Sequence, residues 1–569
     1  MRSEPPAISG IPLTGVVCGL LLASLALTPS LVPRPTVFQG FLSGLWFMIG
    51  YGLGTPVHRV GSWLLGRIRT RRWFPASRPL HSASRTGLLV LATMLLVLYV
   101  VIYSGLVVSW QNEVRALVEM GPVDGAGHLR FLIAMVVTMS LCYWIFRGIG
   151  ALRVMAAGWA RRRGSGPGRA RAMGLLAGLL ASFVLVAGLV GAGLGAVGSI
   201  YAARDAQTLE GSRRPELPLR SGSPDSILAW DRLGRQGRAF VGGGPSAAAI
   251  ARVGASDATE PIRVYAGLGQ GVDLAERAEL VVGELERTGA FEREVLLVAT
   301  PTGSGWLEPQ AIAALEYLYA GDTATASMQY SFQPSWVSFL FAPELSTQSS
   351  SALFDAVHAR WKQLPASDRP KLAVYGLSLG AQGMQGHFAD LGDLLDRTDA
   401  ALFTGPPSNS QPWRTLQAAR DPDTPIWQPT YRGGASVRWQ SKPGDFANLA
   451  GTWNQPRVGY LQHATDPITW LDASVIYQRP EWLAGPAVEG GRGSDVSDAM
   501  RWIPGVTFLH LVTDMLVSEA VPPSHGHNFG DVALDGWAQV LPGHGRSDAQ
   551  LASIQAVLET IDTHDPIWE

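Results

Sequence analysis

KLAVYGLSLGAQG, residues 371–383, is the stretch on which the reading of this chain turns. An apolar, strand-forming run from Lys371 to Gly376 stops abruptly at Ser378, which Gly376 and Gly380 fence on either side, and small residues suited to a helix follow. A serine on a sharp strand-to-helix turn is a nucleophile elbow, the bend that lifts a hydroxyl clear of a sheet. In a chain with 65 glycines among 569 residues, G-x-S-x-G also arises readily by chance, and Ser378 would then do no more than cap a helix. The framework around the motif has to decide.

Upstream, short β-rich runs alternate with amphipathic helical runs. IRVYAGL (262–268) reads as a strand, AERAELVVGELERTGA (275–290) as a helix and EVLLVATP (294–301) as a buried strand. PQAIAALEYLYA (309–320) is helical, TATASMQYS (323–331) strand-like and ALFDAVHARWKQL (352–364) helical, before the strand that ends at Ser378. Strands separated by helices make a mainly parallel sheet with helices on both faces, and this order ahead of the serine is the one an α/β-hydrolase fold requires. Ser378 is therefore read as a nucleophile.

A serine hydroxyl needs a base to take its proton and an acid to orient that base, arriving along the chain as Ser, Asp or Glu, His. RVGYLQHATDPITW (457–470) is an apolar strand ending in a turn with Asp466, at the strand end where sites form in open α/β sheets. Asp466 is preferred over Asp445, Asp495 and Asp498, which lie in irregular sequence, and over Asp514, which lies in a helical stretch. VPPSHGHNFG (521–530) offers His525 and His527 in a loop before a last helical run, and either can be the base. For the oxyanion the expected donors are the amide of Leu379 and those near Thr302 and Gly303, in the Gly-rich turn TPTGSGW (300–306). GPP (405–407) and Trp413 are candidate pocket walls. Neither a metal nor an organic cofactor is needed, although His463, Asp466, His525 and His527 are oxygen and nitrogen donors that a zinc-based rival would use.

The rest of the chain is unlike a soluble enzyme. Mean hydropathy is +0.13 with only 16% charged residues. A net charge of −1 gives no electrostatic footprint for nucleic acid. Cys18 and Cys142, the two cysteines, both lie in apolar runs, so the remainder has no thiol for a disulfide, a metal site or a nucleophile. Five stretches lack charge: Pro5–Pro33, Pro35–Val57, Thr86–Gln111, Phe131–Phe146 and Met173–Ala203. Each is read as crossing a hydrocarbon core of about 30 Å, the fourth only if its helix continues past Arg147. The first is read as an uncleaved span rather than a signal peptide.

Thr55–Arg85 carries Arg59, Arg67, Arg69, Arg71, Arg72, Arg78 and Arg85 with no acid, and Arg147–Ala172 carries Arg147, Arg153, Arg161, Arg162, Arg163, Arg169 and Arg171, again with none. Basic loops stay in the cytoplasm, which puts the N-terminus inside and everything beyond Ala203 outside the plasma membrane. The expected organisation is an all-α five-helix transmembrane domain (1–203), a tether and ordered lead-in segment (204–260) and an α/β-hydrolase domain (261–569).

LGRQGRAFVGGGP, PIRVYAGL, ERTGAFER, TPTGSGW, QYSFQPSW, GLSLGAQG, GPPSNSQPW, VGYLQHATDPITW, MRWIPGVTF and HGHNFG, with LTPSLVPRP near the first span, together resemble a bacterial family of membrane-anchored α/β-hydrolases, common in actinobacteria, with a multi-span N-terminal domain. The resemblance covers nearly the whole chain and implies a Ser-Asp-His hydrolase built on Ser378, Asp466 and the His525/His527 pair. Leu377 stands where that family often has Glu, and Ser524 where it often has Gly. The expectation is an extracytoplasmic serine esterase acting through an acyl-enzyme on lipids or acylated envelope polymers. An acyltransferase using the same site is the nearest alternative, and a catalytically idle membrane scaffold or transporter-associated protein the alternative of another class.

Overall fold

The structure is a computed structural model that describes residues 13–70, 82–485 and 491–561. The chain divides into two compact units, Met1–Gly193 with Ala499–Arg501, and Leu194–Asp498 with Trp502–Glu569.

The first unit is helical: α1 (Leu13–Ala26), α2 (Thr36–Thr70), α3 (Ser82–Leu117), α4 (Gly125–Arg162) and most of α5 (Pro167–Asp205). Among the described residues four helices are long and apolar enough to cross a membrane, within Thr36–Gly54, Val90–Leu117, Gly125–Arg162 and Pro167–Asp205. The fourth expected span reaches its length because α4 runs unbroken through Arg147. The first expected span does not reach its length within the described residues. The described part of α1, 14 residues, is about 21 Å long at 1.5 Å per residue, and it stops at Ala26, shortly before Pro29, which disfavours helical geometry at Thr28. Gln39 of α2 then donates to the Ala26 carbonyl at 2.8 Å and closes the helix end.

α1 lies against α2 through glycines: a Cβ at Gly54 would stand 2.6 Å from the Thr14 carbonyl, and one at Gly19 2.9 Å from that of Phe47. Small residues let helix backbones approach this closely where lipid removes the hydrophobic drive between them. The arginine-rich segments are largely helical extensions rather than loops, since α2 continues to Thr70 and α4 to Arg162. Arg71, Arg72 and Arg78 lie outside the described residues.

In the second unit the segment expected as a tether is ordered. Ser221 N–H donates to the Arg263 carbonyl at 3.0 Å and Arg263 N–H to that of Leu219 at 3.3 Å, so the chain around Arg220 covers the edge of the first strand. Burying that edge satisfies backbone groups that would otherwise template other strands. Two short helices, α6 (Gly234–Gly242) and α7 (Ala247–Arg252), complete the lead-in.

A seven-stranded sheet follows. Its strands are β1 (Ile262–Ala266), β2 (Val295–Thr300), β3 (Thr323–Met328), β4 (Lys371–Leu377), β5 (Ala400–Thr404), β6 (Val437–Gln440) and β7 (Arg457–Leu461). All pair in parallel, in the order β1-β3-β2-β4-β5-β7-β6, with β4 central. Nearly every strand residue is buried, as a sheet covered on both faces demands.

Between the strands run α8 (Leu274–Thr288), α9 (Pro309–Leu318), α10 (Ser335–Phe341), α11 (Glu344–Gln363), α12 (Leu379–Gln385), α13 (Leu391–Arg397) and α14 (Trp413–Ala418). α15 (Pro467–Trp470), α16 (Val506–Met515), α17 (Ala533–Val540) and α18 (Asp548–Leu558) come after β7. α8, α11 and α12 form one covering group, and α9, α17 and α18 another, joined where Trp537 Nε1 donates to the Ala311 carbonyl at 3.0 Å. This is an α/β-hydrolase fold.

Candidate active site

Ser378 stands between β4 and α12 at φ 55°, ψ −122°. A positive φ is rare for a residue with a side chain and costs roughly 1–3 kcal/mol, so surrounding contacts must hold it. They do. Ser378 N–H donates to the Thr404 carbonyl at 2.8 Å, continuing the register that pairs Leu377 with Thr404. A Cβ on Gly376 would run into the Gly380 backbone, and one on Gly380 into the Thr300 carbonyl. The two glycines thus let the turn close on itself and let α12 start against the end of β2. Leu379 is the first residue of that helix, where amides have no partner within the helix.

The turn after β2 lies beside it. Thr302 N–H donates to the Trp306 carbonyl at 2.9 Å and Gly305 N–H to the Thr302 carbonyl at 3.0 Å. The Thr302 amide, one of the expected donors, is thus engaged in closing its own turn, next to Gly303.

The two loop histidines, equivalent in sequence, have different partners. His527 Nδ1 is 2.7 Å from Asp466 Oδ2, with both side chains buried. Asp466 also accepts from Ile468 N–H at 2.9 Å and Thr469 Oγ1 at 3.1 Å, as the cap of α15. His525 Nδ1 is 3.0 Å from Asp495 Oδ2, a carboxylate set aside in the sequence reading. Gly405 separates their settings further. It follows Thr404, so it lies opposite Ser378 at the ends of neighbouring strands, about 4.8 Å apart in a sheet. A Cβ there would stand 2.6 Å from His527 Cε1 and 2.7 Å from Phe529. The His527 ring therefore sits over the strand end next to Ser378. Its Nε2 is buried and hydrogen-bonded to nothing among the described residues. Burial pulls the His527 pKa down, but the Asp466 charge and hydrogen bond, with Glu519 and Glu308 behind them, outweigh it and leave it above 6.5.

His463 Nδ1 pairs with the Gly526 carbonyl at 3.0 Å and its ring stacks on Phe529. The four residues of the zinc rival thus fall into separate pairs, and among the described residues no three His, Cys, Asp or Glu side chains group as a metal site. Trp413 is buried, with its indole N–H on Gln462 Oε1 at 2.9 Å.

Sequence reasoning missed Glu308. At the N-cap of α9, before Pro309, it reads as an ordinary acidic residue at a helix start. Its side chain does not cap the helix but accepts from the Tyr375 hydroxyl at 3.1 Å, and it lines a small pocket with Trp306, Leu377, Glu519, His527 and Phe529. Burial pushes this carboxyl up to about 7, against the lowering effect of Tyr375 and His527, with Asp531 and Glu519 adding to the rise. No local pattern announces a buried carboxylate; only its neighbours from β4 and the His527 loop do.

The model of an alpha/beta-hydrolase family matches residues 262–554, and the model of that family's N-terminus matches residues 27–245. No curated protein and no solved structure matches the chain. A strained serine at the end of the central strand, beside a buried His–Asp pair, stands inside the matched region, and the chain belongs to this alpha/beta-hydrolase family.

Proposed function

We propose that the protein is a membrane-anchored serine esterase whose hydrolase domain faces out of the cell and cleaves carboxylic esters of lipids or acylated envelope polymers. The observation that carries this reading is the approach of the His527–Asp466 pair to Gly405, one strand spacing from Ser378. Ser378 Oγ attacks the ester carbonyl carbon while His527 Nε2 takes its proton. Asp466 accepts from Nδ1–H, which fixes the tautomer that leaves Nε2 as acceptor and stabilises the imidazolium. The oxyanion receives N–H groups from Leu379 and Gly303. As the C–O bond breaks, the imidazolium returns its proton to the leaving alkoxide, and water then repeats the sequence on the acyl-serine to release the acid. The unpartnered Nε2 closes onto the serine hydroxyl when substrate binds, since catalytic hydrogen bonds often tighten only in the loaded complex.

The outward placement is supported by α2 to α5 alone. If the arginine-rich ends of α2 and α4 stay in the cytoplasm, α5 leaves it, whether or not α1 spans. A membrane-impermeant fluorophosphonate applied to intact cells tests nucleophile and sidedness together. Labelling of the wild type and none of Ser378→Ala is expected. Labelling that survives the substitution removes Ser378 as nucleophile, and labelling that appears only after lysis reverses the topology.

A further inference from the structure

We infer that α10, the helix SWVSFLF, lies in the outer lipid surface beside the active site and admits ester lipids to Ser378 directly from the bilayer. This rests on the serine-esterase reading and on α5 spanning the membrane, and it names the partner of that site.

Three observations converge. First, α10 presents two opposed faces. Ser338 is buried, and its side chain and the Ser335 backbone press on the oxyanion turn: a Cβ at Gly303 would stand 2.8 Å from Ser335 Cα and 3.0 Å from Ser338 Oγ. The outward face is apolar, with Leu340 54% and Phe341 61% exposed and Trp336, Val337 and Phe339 half-buried. A soluble domain gains nothing by placing such a patch in water.

Second, α10 is tied to the end of a membrane span. The last turns of α5, from Leu194 to Asp205, belong to the same compact unit as the hydrolase. A Cβ at Gly198 would touch Gln333 Nε2 at 3.5 Å, two residues before α10 begins. Asp205 Oδ1 accepts from Gln329 Nε2 at 3.2 Å, and Gln329 Cγ would meet a Cβ on Gly305 of the oxyanion turn at 3.0 Å. One short segment, 329–334, therefore touches the span, the oxyanion turn and α10.

Third, the depth is right. The uncharged stretch of α5 continues to Ala203, so Gly198 lies about 7–8 Å inside its end at 1.5 Å per residue. The Arg204 guanidinium lies over the Tyr201 ring, 5.7 Å from its centre, and aromatic and basic residues mark the headgroup level. An amphipathic helix held at that level buries its apolar face at the headgroup–acyl boundary. Of the partners an apolar face could take, only lipid is continuous with the span that positions this one.

The test uses the full-length chain in proteoliposomes of dioleoylphosphatidylcholine and dioleoylphosphatidylglycerol, with methylumbelliferyl butyrate as water-soluble ester and methylumbelliferyl oleate as bilayer-borne ester. Leu340→Ser combined with Phe341→Ser is expected to leave butyrate hydrolysis within about twofold and to lower oleate hydrolysis at least about tenfold, the loss following the apolar area withdrawn from lipid. Phe341→Trp keeps both rates. A fluorophore on Phe341→Cys, in a chain carrying Cys18→Ser and Cys142→Ser, is expected to be quenched by lipid spin-labelled near the headgroup. Absence of quenching, or oleate hydrolysis that survives the double substitution, overturns the inference. If the double variant loses both rates together its fold is damaged, and the quenching decides alone. Failure of the underlying esterase reading shows separately, as hydrolysis of both esters by Ser378→Ala.

Discussion

His527 is the residue on which the proposed chemistry turns, and two neighbours set its behaviour. Because its pKa lies above 6.5 and the base must be neutral, kcat/KM should climb with pH through a limb above 6.5. Asp466→Asn removes the main support for the protonated ring and for its tautomer. It should lower kcat by about 10⁴-fold and move the limb to lower pH, read from a pH–rate profile. Glu308 acts in the same pocket. Its folded carboxyl titrates near 7 against an ordinary 4.5, so its contribution to stability is complete below about 4.5 and fades as pH rises through about 7. Glu308→Gln should flatten the fall in Tm between those values, and on the order of 3 kcal/mol is at stake if the whole shift is lost. The same substitution takes a negative charge from beside His527 and should shift the rate limb modestly downward. A Tm profile unchanged in slope would count against a buried, proton-holding Glu308.

Two loops, after β7 and before α17, must arrive together for the site to exist, and a second histidine joins them. Thr465 Oγ1 donates to Asp495 Oδ2 at 3.1 Å and accepts from Gly526 N–H at 3.0 Å, while His525 holds the same carboxylate oxygen. These bonds clamp the residues just before Asp466 and His527. Asp495→Ala is expected to act through position alone, costing up to about 100-fold in kcat while the pH limb stays in place. His527→Ala should cost far more and abolish the limb. Gly405→Ala is a comparable probe from the strand side: with φ 50° and a Cβ aimed at the His527 ring, it should displace the base and suppress fluorophosphonate labelling while the sheet still forms.

Across the whole molecule, the compact unit that holds the hydrolase sheet begins inside a helix, at Leu194. Asp205 explains why: its Oδ1 accepts from Arg235 N–H at 3.1 Å and from Gln329, and its carbonyl accepts from Arg238 at 2.8 Å. A fragment beginning at Leu194 should therefore unfold at higher denaturant than one beginning at Ala206. The difference should be a few kcal/mol, at about 1.5–3 for each hydrogen bond to the charged carboxylate. Equal midpoints would mean that the end of α5 is no part of the domain.

The alternation of β-rich and amphipathic runs, the serine between glycines and the uncharged stretches were legible in the sequence because periodicity and local turn chemistry act over a few residues. They determined the parallel sheet, the elbow and the helical N-terminal third. Which histidine meets Asp466, the closing of the Thr302 amide within its own turn, the burial of Glu308 and the stop of α1 at Ala26 depend on groups far apart along the chain or on how a helix is stopped and capped. Only folding brings those groups within hydrogen-bonding distance, and the desolvation that sets their partners and their proton affinities exists only once the interior is closed.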